Sequence, residues 1–201
     1  IGTTKERGTI ITFRADDTIF ETIDYSWKTI IDHVRQQVYL SKGIRISITD
    51  RREGEEKTND KTAIDFPNPT YGFYFEGGIA SYVRHLNQNK EVKNETVFYI
   101  EKEQDNTKVE IALQYNNEFN ELLSAFTNNI YNPEGGTHVA GFRTALTRSL
   151  NTYARNKGFL KEKDGNLTGE DVREGLTTII SIKVTEPQFE GQTKAKLGNT
   201  E

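Results

Sequence analysis

An apolar stripe along the longest helical stretch of the chain limits its fold more than any other feature. Val139, Phe142, Leu146, Leu150 and Tyr153 recur at spacings of three and four, on one face of a helix ending near Gly158. A helix with a single apolar face must bury it against another element. A suitable partner follows in the chain. Thr177 to Val184 reads Thr-Thr-Ile-Ile-Ser-Ile-Lys-Val, a β-branched run that predicts a strand.

Other segments carry one or other of these two periods. From Thr22 to Leu40 the positions Ile23, Trp27, Ile30, Ile31, Val34 and Val38 predict a helix, with Gly43 as its stop. Ile44, Ile46 and Ile48 alternate with Arg45, Ser47 and Thr49, the pattern of a half-buried strand. Short strands are predicted over 8–14, 71–75, 97–102 and 109–115, and 121–129 reads as either a strand or a buried helical turn, with its place after a hairpin favouring strand. The pair 97–102 and 109–115 is joined by Gln104-Asp105-Asn106, a hairpin-like turn. Arg52-Glu53-Gly54 is expected to close another hairpin. Residues 57–70, with Pro67 and Pro69, read as a polar loop insertion. Thr168 is placed to cap a short helix over Glu170–Gly175. Strands, hairpins and helices are mixed, with few clean βαβ alternations. That order predicts an α+β fold, a mixed β-sheet with helices packed on one face.

Composition bounds function. The 201 residues suit one domain, or one domain plus the tail of a neighbour; 34% are apolar and 28% charged. Cysteine is absent, which rules out a disulfide framework or a cysteine metal site and favours a cytoplasmic location. No apolar run has the length of a membrane span, and Ile1–Lys5 has no signal-peptide pattern. Methionine is absent even at position 1, so the chain reads as part of a longer one. The net charge of −4 gives no general attraction to nucleic acid, and any such contact needs a local basic face.

Few residues offer chemistry. His33, His85 and His138 are far apart and have no second ligand at metal spacing, so surface or helix-end positions are expected for them. Walker A, Gly-x-Gly-x-x-Gly and Gly-x-Ser-x-Gly patterns are missing, and no metal site is expected. Gly77-Gly78 and Gly135-Gly136 each precede a helical pattern and read as tight helix starts rather than anion sites. Arg143, Arg148 and Arg155 lie on the long helix, and no Asp or Glu occurs between His138 and Lys161. That face is either a phosphate-binding surface or an ordinary solvated one. Gly191-Gln192-Thr193-Lys194 can present an amide and an ammonium together, a pairing suited to phosphate, though a basic surface loop is the default reading.

Five blocks carry a resemblance. They are Phe73-Tyr74-Phe75-Glu76-Gly77-Gly78-Ile79, Gly135-Gly136-Thr137-His138, Phe142-Arg143-Thr144-Ala145-Leu146-Thr147-Arg148, Leu167 to Leu176, and Phe189-Glu190-Gly191-Gln192-Thr193-Lys194. In this order and spacing they resemble the B-subunit family of DNA gyrase, ATPase subunits of type II DNA topoisomerases. The resemblance implies that residues 1–20 end an ATP-binding domain and that 21–201 form the transducer domain. It implies a transducer-type fold with a left-handed βαβ crossover, like a ribosomal-protein-like second domain, although crossovers are ordinarily right-handed. It further implies that Lys194, with Gln192 beside it, reaches the γ-phosphate of ATP, and that Arg143 and Arg148 meet double-stranded DNA. ATP and Mg2+ would be held mostly by the preceding domain. The implied partners are the gyrase A subunit and a second B subunit, and the fragment alone is expected to be inactive. Within the same resemblance, the ATPase subunit of topoisomerase IV is the alternative. Outside it, the alternative is a stand-alone protein or nucleic-acid interaction module.

Overall fold

The structure, a computed structural model, describes residues 7–52 and 70–200. The 57–70 insertion, except for Thr70, and the turn at 52–54, except for Arg52, lie outside the described residues.

The first helix, α1 (Trp27–Leu40), starts later than its periodicity suggests, because the Ser26 side chain accepts the Thr29 N–H and caps it there. It covers a small antiparallel pair, β1 (Arg45–Thr49) and β2 (Thr70–Tyr74), in which Ile46 lies opposite Phe73 and Ile48 opposite Tyr71. Ile31, Val38 and Phe73 are the buried centre of this unit. Helix α2 (Gly78–Leu86) begins at the second glycine of its pair, as expected.

A five-stranded sheet forms the body. Its strands are β3 (Phe98–Gln104), β4 (Thr107–Tyr115), β5 (Leu122–Thr127), β6 (Ile130–Tyr131) and β7 (Leu176–Lys183), in the order β3-β4-β7-β5-β6. The β3–β4 turn holds Asp105 and Asn106 at positive φ, the geometry that two-residue hairpin turns need. β7 lies antiparallel to β4 and parallel to β5. The connection from β5 to β7 runs through β6 and the long helix α3 (Thr137–Asn156), so the crossover helix is the one with the apolar stripe.

Mixed sheet and packed helices agree with the expected class, but the helices do not share one face. Ile179, Ala112 and Phe126 pack with Leu40 of α1 and with Ile79 and Val83 of α2. Their strand neighbours Ile180, Leu113 and Ala125 point the other way and pack with Val139 and Phe142 of α3. β7 is therefore a central strand covered on both sides, buried at every position from Leu176 to Ile182.

Two further expectations are corrected. Residues 8–14 form no strand. Ile10, Ile11 and Phe13 are exposed, and none of the described strands lies beside them to supply hydrogen bonds. Glu170–Gly175 is a run of turns rather than a helix, since β7 begins directly at Leu176. Thr168 still caps this turn. Its hydroxyl accepts the Asp171 N–H at 3.2 Å, and the Asp171 carboxylate accepts the Thr168 N–H at 2.6 Å.

Candidate functional site

Two features border α3, one at its start and one along its side. The first is the Gln192–Lys194 loop. Two short antiparallel strands, β8 (Phe189–Glu190) and β9 (Lys196–Leu197), carry it, with Phe189 opposite Leu197. Gly191 and Lys194 both have positive φ, and the Lys194 N–H donates to the Gly191 carbonyl at 3.3 Å. The result is a tight turn with Gln192, Thr193 and Lys194 exposed. The ammonium of Lys194 lies 5.9 Å from the centre of the Phe189 ring, and Lys196 pairs with Glu190.

The stem of this loop is sewn to the start of α3. The Leu197 N–H donates to the Gly135 carbonyl at 3.0 Å, and the Glu134 N–H donates to the Ala195 carbonyl at 3.1 Å. Gly136, at φ +138, lies so close to the Leu197 backbone that a Cβ there would collide with its carbonyl oxygen. The glycine pair read as a tight helix start is therefore also the docking point of β9.

The second feature is a groove of about 590 Å³ along the outer side of α3, lined among others by Arg143, Thr147, Arg148, Asn151, Arg155 and Arg173. Its cations are unequally free. Arg143 is bonded to the Glu121 carboxylate at 2.6 and 3.3 Å, and Arg173 approaches the same carboxylate at 3.5 Å. Arg155 is held by the Asn166 side chain and by the Lys161 and Asp164 carbonyls. Asn151, buried in α3, clamps the neighbouring loop by accepting from the Leu167 N–H and donating to the Leu167 carbonyl. Arg148 has no hydrogen-bond or ion-pair partner among the described residues, which leaves its guanidinium available.

Of the residues singled out in the sequence, Arg143 and Arg148 lie in this groove and Gln192 and Lys194 in the loop; the loop stem is tied to the residues that begin α3, and the groove runs along that helix. Sequence reading missed Arg173, Glu121 and Asn151. Arg173 sits in the resemblance block Leu167–Leu176, but only the fold brings it beside α3. Among the histidines, His33 is exposed and His85 stacks on Tyr39. His138, in the first turn of α3, has both ring nitrogens buried without a partner, and burial pushes its pKa down to about 4. None of the described His, Asp or Glu residues cluster as a metal-binding group. No helix is long and apolar enough to cross a membrane, among the described residues. For a nucleotide, the Gln192–Lys194 loop offers one ammonium and one amide at an exposed tip. That donor set fits a single terminal phosphoryl group and provides nothing for a base or sugar.

The DNA gyrase B family profile matches residues 78–201. The DNA gyrase B protein of Clostridium acetobutylicum is 52% identical over the whole chain, as is that of Halalkalibacterium halodurans, and the chain spans 30% of the length of each. Among solved structures, the 43K ATPase domain of Thermus thermophilus gyrase B, crystallised with an aminocoumarin, superposes with a TM-score of 0.74 at 30% identity. That match covers 92% of this chain and 46% of the other. The ATP-binding domain of Francisella tularensis topoisomerase IV, at 24% identity and a TM-score of 0.69, shares the fold. The profile covers more than half of the chain, and the chain belongs to the DNA gyrase B family.

Proposed function

We propose that this chain is the transducer part of a type II topoisomerase ATPase subunit, with residues 1–20 ending the ATP-binding domain that precedes it. In this reading Lys194 meets the γ-phosphate of ATP, and Gln192 donates an amide N–H beside it. A cation at that point separates ATP from ADP, because only ATP carries charge there, and it stabilises charge developing on the transferred phosphoryl group. Mg2+ and most of the nucleotide contacts belong to the preceding domain. The arginine groove meets the phosphates of double-stranded DNA without reading its sequence. A second B subunit closes the clamp, and the A subunit cleaves the DNA.

One observation carries the reading. The stem of the Lys194 loop is hydrogen-bonded to Glu134 and Gly135, just before α3, and Arg148 stands twelve residues after the helix N-cap Gly136. At 1.5 Å per residue, about 18 Å of rigid helix links nucleotide sensor and DNA groove. A loop held by ATP and released after hydrolysis then moves the groove with it. The 52% identity to gyrase B proteins over the full chain favours gyrase over topoisomerase IV, whose solved relative supports the fold alone.

The test uses the two-domain parent, the ATP-binding domain plus this chain. Lys194→Ala is expected to lower ATP hydrolysis by about a hundredfold, the scale of losing one transition-state charge contact, with folding intact. Unchanged hydrolysis removes the γ-phosphate role. The chain without the preceding domain is expected to show no Lys194-dependent turnover.

A further inference from the structure

We infer that Asn132 is a positioning residue for Lys194, holding its backbone in the one conformation that aims the ammonium; this rests on the proposed contact of Lys194 with the γ-phosphate. Asn132 follows β6 and is 2% exposed. Both polar atoms of its side chain are bonded. The Oδ1 accepts from the buried Thr127 hydroxyl at 2.7 Å, and the Nδ2 donates to the Lys194 carbonyl at 2.8 Å. Its main chain is fixed as well, with its N–H donating to the Ala125 carbonyl and its carbonyl accepting from the Gly135 N–H, both at 2.9 Å. A rigid amide anchored in the sheet thus holds the carbonyl of the loop's functional lysine.

The reason such a hold is needed lies in the lysine itself. Lys194 has φ +56, a left-handed conformation that a residue with a Cβ rarely adopts. Free in solution, the loop would relax to the ordinary region, and its Cα–Cβ direction would swing. Two bonds oppose this at Lys194, its own N–H to Gly191 at 3.3 Å and the shorter one from Asn132. An amide meets both demands at once, donating to a carbonyl and accepting from a hydroxyl. A carboxylate could do only the second, and a leucine neither.

The experiment uses the full-length subunit, with Asn132→Ala and Asn132→Asp, each alone and combined with Lys194→Ala. Thermal melting first establishes that the variants fold. Asn132→Asp keeps the acceptor for Thr127 and serves if Asn132→Ala does not fold. ATP turnover and ADP affinity are measured, together with the rate of trypsin cleavage at the Lys194–Ala195 bond, whose carbonyl is the one Asn132 holds. The expected result is a fall in kcat of about tenfold, the worth of one buried hydrogen bond, with ADP affinity unchanged. Cleavage at Lys194 is expected to quicken, with cleavage after Lys163 unaffected. In the Lys194→Ala background the Asn132 substitutions should change turnover no further. A loss of turnover that persists in that background, or unchanged kcat and unchanged cleavage, overturns the inference while leaving the γ-phosphate reading intact. If Lys194→Ala itself leaves turnover unchanged, that reading fails, and the functional part of the inference fails with it, whatever the protease shows.

Discussion

His138 shows how one residue of the Gly135-Gly136-Thr137-His138 block departs from a simple role. Its ring faces the apolar groove between α3 and the sheet, beside Phe142 and Ile182, and neither nitrogen finds a partner. Burial favours the neutral ring, and the positive end of α3 acts in the same direction. The folded pKa of about 4 lies below the ordinary 6.5, so between these values the unfolded chain binds more protons than the folded one. Stability should therefore be full above pH 6.5, fall as the pH drops toward 4, and lose nothing further through this residue below that. The side chain is only partly buried, which brings the contribution to about 1–2 kcal/mol. Denaturation at pH 7 and pH 4.5, compared with His138→Leu, isolates it from the carboxylates that titrate in the same range. A ring titrating near 6.5 by NMR would refute the assignment. The sequence led toward a helix-end histidine, which is where it sits. It could not indicate that the ring faces an apolar groove, because the lining comes from strands far away in the chain.

At the scale of elements, local patterns were readable and long-range pairing was not. The α3 stripe from Val139 to Leu150, the β3–β4 hairpin and the strand at 177–184 were evident from period and turn chemistry, whereas Tyr153, placed on the same stripe, is exposed. The two-sided cover of β7 was not, because Thr177, Thr178 and Ser181 lie among its apolar residues and the elements that cover it are far away in the chain. Those polar positions have a purpose that the fold reveals. Thr177 belongs to a buried network in which Asn87, just after α2, accepts from Thr177 and Asn116 and donates to Gln114. It fixes the end of α2 over β4 and β7. Replacing Asn87 by alanine leaves three buried polar groups without that partner and is expected to cost about 2–4 kcal/mol. Urea unfolding would show it as a lower midpoint with an unchanged slope. A shift equivalent to less than about 0.5 kcal/mol would mean that water replaces the amide at this site. The 8–14 segment fails in the opposite sense. Its β-branched residues have the propensity of a strand, but propensity cannot supply a hydrogen-bonding neighbour.

For the whole molecule, the proposed function raises the question of how a chain of net charge −4 would meet a polyanion. That charge gives no general attraction, so on this reading contact falls to the groove along α3, where the charges are rationed by Glu121. Its carboxylate occupies Arg143 and lies near Arg173, while Arg155 is spent on the 161–166 loop. Arg148 is the cation left to reach a phosphate. The resemblance pointed to Arg143 and Arg148 together; the structure separates them, one tied and one open, and this could not be read from spacing because Glu121 lies on the approach to β5. On the proposed reading, Arg148→Ala in the full-length subunit should weaken binding of duplex DNA evenly across sequences. It should also reduce the slope of log affinity against log salt by about 1, the release of a single counterion. Arg143→Ala should reduce that slope less, since its charge is already balanced, and should destabilise the fold by exposing the Glu121 carboxylate to Arg173 alone. Glu121→Gln is the converse experiment. Removing the internal anion frees Arg143 and Arg173 for phosphate, and both affinity and salt slope should rise. If Glu121→Gln instead lowers affinity, the carboxylate orients the arginines rather than competing with DNA, and Arg143 regains equal standing with Arg148 as a phosphate contact.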